Sequence, residues 1–162
     1  MFRIGLISDT HGLLRPQALD FLRGCDAIVH GGDIGHEQIL EALAALAPVT
    51  AVRGNNDTAE WAQRLRETET LCVGGVSLHA IHDLMQLNMD PAAVGVRVVV
   101  SGHSHKPLVQ ARGGVLYINP GSAGRRRFTL PIAAGELVID GAALRARVVS
   151  LEDGTFPTLA SA

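Results

Sequence analysis

Five times along this 162-residue chain an apolar run stops in a short polar cluster. The stops read Ser8-Asp9-Thr10-His11-Gly12, His30-Gly31-Gly32-Asp33, Gly54-Asn55-Asn56-Asp57, Ala80-Ile81-His82-Asp83 and Gly102-His103-Ser104-His105. Each brings carboxylate, amide or imidazole donors to the end of a presumed strand. Four include glycine, which lets a backbone turn sharply and approach a ligand. In open parallel sheets ligands bind outside the carboxyl ends of the strands. Five donor clusters at five such ends therefore point to one polar site at a common sheet edge.

The intervening residues read as α/β. Residues 2–8 predict a buried strand, and 16–23 a helix with Pro16 at its start. A strand follows at 26–30, a helix at 36–46 and a strand at 48–52. Strand–helix alternation of this kind argues for parallel pairing. The second half reads as mostly antiparallel. A hairpin is expected at 69–73 and 75–81 around Gly74-Gly75, then a weak helical piece near 84–94 and a strand at 96–101. Short strands recur at 107–111, 115–119, 130–139 and 143–149. There is no internal repeat, low-complexity tract or linker. The expectation is one domain over 1–162, with two sheets packed together.

Composition narrows the options. With 47% apolar and only 4% aromatic residues, the core has to be aliphatic. A net charge of −2 gives no electrostatic case for polymeric nucleic acid or an anionic membrane. Cys25 and Cys72 lie far apart and form no Cys-x-x-Cys pair, so the cytoplasm is the expected compartment. No run reaches the roughly 18 apolar residues of a membrane helix. The opening MFRIGLISDTHG reads as a first strand rather than a leader, since Ser8 and Asp9 interrupt its apolar run.

The donors are Asp, His and Asn, with no Cys among them, which argues against structural zinc or an iron–sulfur cluster. A mixed carboxylate and imidazole set suits Mn²⁺, Fe²⁺, Zn²⁺, Ni²⁺ or Co²⁺. Seven donors are too many for one tetrahedral ion. They suit two ions about 3.5–4 Å apart sharing a carboxylate, an arrangement for phosphate chemistry. His103 and His105, at i and i+2 of an extended segment, are expected to point the same way.

In this order and spacing, DTH, GD, GNND, IHD and GHSH, followed by NPGS at 119–122, resemble the calcineurin-like metallophosphoesterase superfamily. The compact length resembles its small single-domain branch of bacterial and archaeal phosphodiesterases. The likeness runs from residue 4 to about 127. It implies a four-layer α-β-β-α sandwich with two mixed β-sheets flanked by helices. It also implies metal-dependent hydrolysis of a small phosphodiester by a hydroxide held between two divalent ions. Manganese is the first choice, with Ni, Co, Zn, Fe or Mg as alternatives.

Carried over residue by residue, the resemblance gives Asp9, His11 and His105 to the first metal. Asn55, His82 and His103 go to the second, and Asp33 bridges both. His79 competes with His82, which is preferred for its place at the strand end. Asn56 would donate a hydrogen bond to a phosphate oxygen, and Asp57 would orient a neighbouring ligand. Arg127 matches the family's arginine after NPGS, although any of Arg125, Arg126 and Arg127 could turn inward. Two positions depart from the family pattern. Asn56 replaces a common histidine, and Asp83 follows His82 where glycine and then histidine are usual. Neither replacement restores the lost imidazole acid.

Plainer roles suit other residues. His30 reads as a packing residue or one that supports a ligand, and His36 as exposed at a helix start. Asn119 and Ser122 could be turn formers, and Trp61 with Leu65 helix packing. The partner expected is a small phosphoester substrate, with a homodimer possible and no membrane. The rival functions are phosphomonoesterase, nuclease, and a catalytically weak interaction scaffold of the kind a retromer subunit makes from this fold.

Overall fold

The computed structural model describes residues 1–162. In chain order it has β1 (Phe2–Ile7), α1 (Pro16–Leu22), β2 (Ala27–His30), α2 (Glu37–Ala44) and β3 (Val49–Ala51). Then come β4 (Thr68–Val73), β5 (Val76–Ile81), β6 (Val96–Val100), β7 (Leu108–Arg112) and β8 (Val115–Asn119). The chain closes with β9 (Ala133–Asp140), β10 (Ala143–Ser150) and β11 (Thr158–Ser161). Short 3-10 turns lie at Glu60–Arg64, Leu84–Gln86 and Ala92–Val94.

Two mixed sheets result. The first runs β11-β10-β9-β1-β2-β3 and the second β4-β5-β6-β8-β7. β1, β2 and β3 are parallel neighbours, and so are β5, β6 and β8. The second half is thus less antiparallel than its hairpin signals suggest. β9, β10 and β11 leave it altogether and extend the first sheet beyond β1. Residue alternation reveals that a strand exists, whereas its partner depends on contacts across the whole chain. β11 carries little sequence signal, because Thr158–Ser161 is short and only weakly alternating.

Alternation within each strand sorts side chains into layers. Ile4, Leu6 and Val29 of the first sheet face Leu78, Val98, Val100 and Ile118 of the second across an aliphatic core. On the outer face of the first sheet, Ile7 and Ile28 pack against Phe21, Leu22 and Leu43 of the helices. The outer face of the second sheet has a thin cover: Ile81, Val99 and Val115 lie beneath Leu84, Leu87 and Met89. The helical piece expected at 84–94 is two separate 3-10 turns. The Asp83 and Asp90 side chains accept from Met85 N (3.0 Å) and Ala92 N (3.1 Å). These local bonds compete with a continuous helix. Trp61 and Leu65 pack as expected, but from a 3-10 turn.

Arg3 ties α1 to the first sheet. Its guanidinium donates to the carbonyls of Phe21 (2.7 Å) and Arg23 (2.9 Å) at the helix C-terminus. It also pairs with Glu136 on β9, which Arg147 of β10 contacts from the other side at 2.6 Å. Burial raises the Glu136 carboxyl, but the two guanidinium groups outweigh it and leave its pKa below the ordinary value. A depressed acid stabilises the fold above its unfolded pKa, and that contribution disappears as pH falls through the folded value. Glu136→Gln is therefore expected to cost about 1 kcal/mol at pH 7, with the gap to wild type closing below about pH 4. Urea unfolding across that range measures it, and a gap that does not change with pH would refute the account.

Candidate metal centre

The carboxyl ends of β1, β2 and β3 lie at the same edge as those of β5, β6 and β8, and the donor clusters occupy the loops just beyond. Main-chain bonds lock these loops together: Asp9 N to Gly32 O (3.0 Å), His11 N to Asp33 O (2.9 Å) and Gly102 N to His82 O (2.9 Å). Seven non-glycine residues have positive φ, and five of them are Asp9 (53°), His11 (46°), Asp33 (55°), His103 (68°) and His105 (61°). Left-handed backbone at such residues costs about 1–3 kcal/mol each and persists only where the surroundings enforce it. Here it is concentrated on residues that carry donors. Two glycines are required by close approach. A Cβ on Gly54 would lie 2.1 Å from Asp33 Oδ1, and one on Gly102 would lie 2.1 Å from Ser8 Oγ.

This geometry corrects the expectation for His103 and His105. β6 ends at Val100, so neither histidine is in an extended segment and period-two alternation does not apply. The two left-handed residues splay the rings to different sides.

His105 joins Asp9 and His11 in a first group, whose ligand atoms lie within 4.8 Å of one another. His105 Nε2 is 3.2 Å and His11 Nε2 3.7 Å from Asp9 Oδ1. The other Asp9 oxygen, Oδ2, accepts from Ser8 Oγ (2.6 Å) and His103 N (3.1 Å). Asp9 Oδ1, His11 Nε2 and His105 Nδ1 are buried with no hydrogen-bond partner. Buried polar atoms left this way are costly, and a shared cation would satisfy Asp9 Oδ1 and His11 Nε2 together. Burial raises the Asp9 carboxyl, but the His105 and His11 imidazoles and the Ser8 hydroxyl prevail and hold it well below the usual carboxylate range. Asp9 in turn raises the His11 pKa against the effect of burial; Asp33 reinforces this and Arg127 opposes it.

His103 joins the second group. His82 Nδ1 lies 2.7 Å from Gly31 O, which makes Nδ1 the donor and leaves Nε2 as a lone pair. That nitrogen faces Asn55 Oδ1 (3.0 Å), His103 Nδ1 (3.3 Å) and Asp33 Oδ2 (3.3 Å). Asp33 Oδ2 is also 3.7 Å from His11 Nε2, which sets Asp33 between the groups as a bridge would be. Asp9, Asp33 and His82 form a further cluster within 4.8 Å. Burial lowers the His82 pKa, yet Asp33 outweighs it and the net shift is upward. His79 is absent from both groups; its ring bonds Thr70 Oγ1 at 2.9 Å.

The remaining residues support this frame. Asp57, expected to orient a ligand, acts through the backbone and touches no donor side chain. Its carboxylate accepts from Ile34 N (2.9 Å), Gly35 N (3.2 Å) and Gly54 N (2.9 Å), tying the Asp33 loop to the Asn55 loop. That geometry suits a positioning role rather than contact with a reacting group. Asn56, expected on phosphate, donates from Nδ2 to Asp33 Oδ2 (3.0 Å). Arg126 pairs with Glu152, and Arg127 is the arginine of the run whose charge is felt at His11.

Asn119 bonds Gly102 O (2.8 Å) and Ser104 Oγ (3.1 Å), and Ser122 bonds Asp9 O (3.0 Å), so both brace the site beyond making a turn. His30 is fully buried between Thr10 Oγ1 (3.0 Å) and Gly32 N (3.1 Å), and burial pushes its pKa down to about 4. Ser8 and Thr10 also support the site, and their position on either side of Asp9 in sequence is the one local signal of it. Asp57→Asn should leave the far-UV dichroism unchanged and weaken Mn²⁺ binding about 10–100-fold, read by calorimetric titration. Unchanged affinity would refute the positioning role.

Comparison with known proteins agrees with this geometry. Residues 2–140 match the model of the calcineurin-like phosphoesterase superfamily domain. A probable metallophosphoesterase of Methanothermobacter thermautotrophicus is 36% identical over 157 residues, covering 90% of this chain and 91% of that protein. The phosphodiesterase YfcE of Escherichia coli is 29% identical over 167 residues, covering 85% and 88%. In fold, the chain is similar to vacuolar protein sorting 29 of Cryptosporidium parvum, with TM-score 0.83 at 20% identity over 100% of this chain and 98% of that one. The E. coli YfcE structure gives 0.76 at 24% identity over 99% and 98%. With a family match over most of its length and its donors gathered at one sheet edge, this chain belongs to the calcineurin-like phosphoesterase superfamily.

Proposed function

We propose that this chain is a metal-dependent phosphodiesterase acting on a small phosphodiester. The observation that carries the reading is a pair of buried atoms with no hydrogen-bond partner, Asp9 Oδ1 and His11 Nε2, 3.7 Å apart, with His105 Nε2 3.2 Å from Asp9 Oδ1. Asp9, His11 and His105 would hold one divalent ion, and Asn55, His82 and His103 a second, with Asp33 between them. The oxygen and imidazole set suits Mn²⁺ and admits its neighbours in the series. When bound, such ions supply charge to the phosphoryl oxygens and an acidified water.

The chain's own residues do the rest. Ser8 and the neighbouring imidazoles keep Asp9 ionised. The Gly31 carbonyl fixes the His82 tautomer and keeps Nε2 available. Asp57 holds two donor loops in register. Arg127 supplies a guanidinium on the His11 side, suited to a phosphate oxygen. In the reaction, water oxygen bonds to phosphorus and one P–O ester bond breaks. One water proton goes to the departing alkoxide, and the other stays on the phosphomonoester or passes to solvent. The Asn56 amide cannot deliver a proton, and the Asp83 carboxylate lies 3.9 Å from His103 Nε2. Without an imidazole acid, leaving groups of low pKa are favoured. Diester preference is in keeping with the name of the E. coli relative.

Metal-stripped protein should be inert toward bis(4-nitrophenyl) phosphate and gain turnover with Mn²⁺, while Asp33→Ala should abolish that gain. Folded, Mn²⁺-bound protein with no turnover would overturn the hydrolytic reading in favour of an interaction scaffold. Asn56→His should speed phenyl esters over 4-nitrophenyl esters by about tenfold, the mark of a restored general acid. Equal effects on both esters would contradict the leaving-group argument.

A further inference from the structure

Two concavities meet at the second ligand group. One of about 1010 Å³ starts at Asn55, His82 and His103 and extends past Arg53, Arg66 and His79 to Gln86 and Asn88. The other, of about 430 Å³, lies beyond His103 against Leu84, Met85, Pro107 and Leu108, with Lys106 alongside. Asp83 and His103 line both, so they form the wall between two lobes. Both volumes are in the range of small-molecule sites.

The lobes differ in chemistry. In the larger one, Arg53 is already engaged: Nη1 donates to Leu65 O (3.1 Å) and Nη2 to Glu67 Oε1 (3.3 Å). Arg66 is fixed only through its backbone, whose carbonyl accepts from Arg53 N (2.8 Å), and its guanidinium has no hydrogen bond or ion pair. The Gln86 and Asn88 amides are exposed and make no side-chain bond within the protein. A free fork of donors beside two free amides suits an anionic, hydrogen-bonding group. The smaller lobe presents mostly carbon surface, to which Leu84, Met85, Pro107 and Leu108 contribute, with Ser104, Lys106 and Asn119 also in its wall; Met85 stands 94% exposed. Methionine adapts its shape readily to an apolar ligand.

We infer that the substrate is an unsymmetrical phosphodiester. A polar arm carrying a further negative group lies in the lobe of Arg66, Gln86 and Asn88. An apolar arm of aryl or short-alkyl size lies in the lobe of Met85 and Leu108, and the phosphorus sits at the shared wall near His103. The inference rests on the proposed hydrolysis for which bond is cleaved. The lobes themselves rest on shape and charge. A symmetrical diester would place one arm in the wrong lobe, and a monoester would leave one lobe empty.

The test is calorimetry on the Mn²⁺-loaded chain with two probes that contain no cleavable diester. Thymidine 3′,5′-bisphosphate represents the polar arm with its extra anion, and phenylphosphonate the apolar arm. Arg66→Ala should weaken the bisphosphate about tenfold and leave phenylphosphonate unchanged. Met85→Ser, which removes apolar contact without adding charge, should weaken phenylphosphonate and leave the bisphosphate unchanged. Both residues are exposed and outside the donor groups, so the fold should tolerate either change. If either substitution affects both probes equally, or neither, the two-lobe assignment falls. Absence of turnover on bis(4-nitrophenyl) phosphate would remove the hydrolytic reading but leave these binding results to decide the lobes.

Discussion

Two carboxylates buried almost completely, Asp9 at 0% and Asp33 at 3% exposure, dominate the physics of this chain. An ionised carboxylate removed from water is tolerable only with opposite charge and donors around it. Here the compensation comes from His11, His82 and His105, the Ser8 hydroxyl and the main-chain N–H groups of His103 and Asn56. Much of the rest of the architecture follows from bringing those groups close. Strands must end together, loops must cross at glycine, and five donor residues must adopt left-handed backbone.

The double-sheet arrangement makes that convergence possible. The aliphatic layer between Ile4, Leu6 and Val29 on one side and Leu78, Val98 and Val100 on the other holds two parallel strand sets face to face. Asp9, Asp33 and Asn55 descend from the first sheet, and His82, His103 and His105 from the second. Either sheet alone would carry an incomplete donor set. Asn119, from β8, then braces the loop of His103 and His105. The thin cover of 3-10 turns on the second sheet lies next to the site, and Leu84, Met85, Gln86 and Asn88 reach the lobes from it. A full helix there would have presented a different face.

Much of the site was legible because its chemistry is local. Asp-x-His, Gly-Asp, Gly-Asn-Asn-Asp and Gly-His-Ser-His each place donors beside the flexible residue that aims them. What stayed illegible required knowing what lies across a gap. Asn56 bonding Asp33, Asp57 bonding main-chain N–H groups of another loop, and Arg126 pairing with Glu152 are contacts between distant segments. The i, i+2 rule failed for His103 and His105 because it assumes a strand, and the strand ends before them.

The residues by themselves determined the donor types, their order, the α/β alternation of the first 55 residues and the aliphatic character of the core. These depend on side-chain chemistry and short-range periodicity. Tertiary structure alone decided that β9 to β11 join the first sheet, which imidazole faces which carboxylate, and which arginine remains unpaired beside the cleft. Those outcomes are set by pairing and burial between residues far apart in the chain, where many registers satisfy the same local pattern and the packed core selects one.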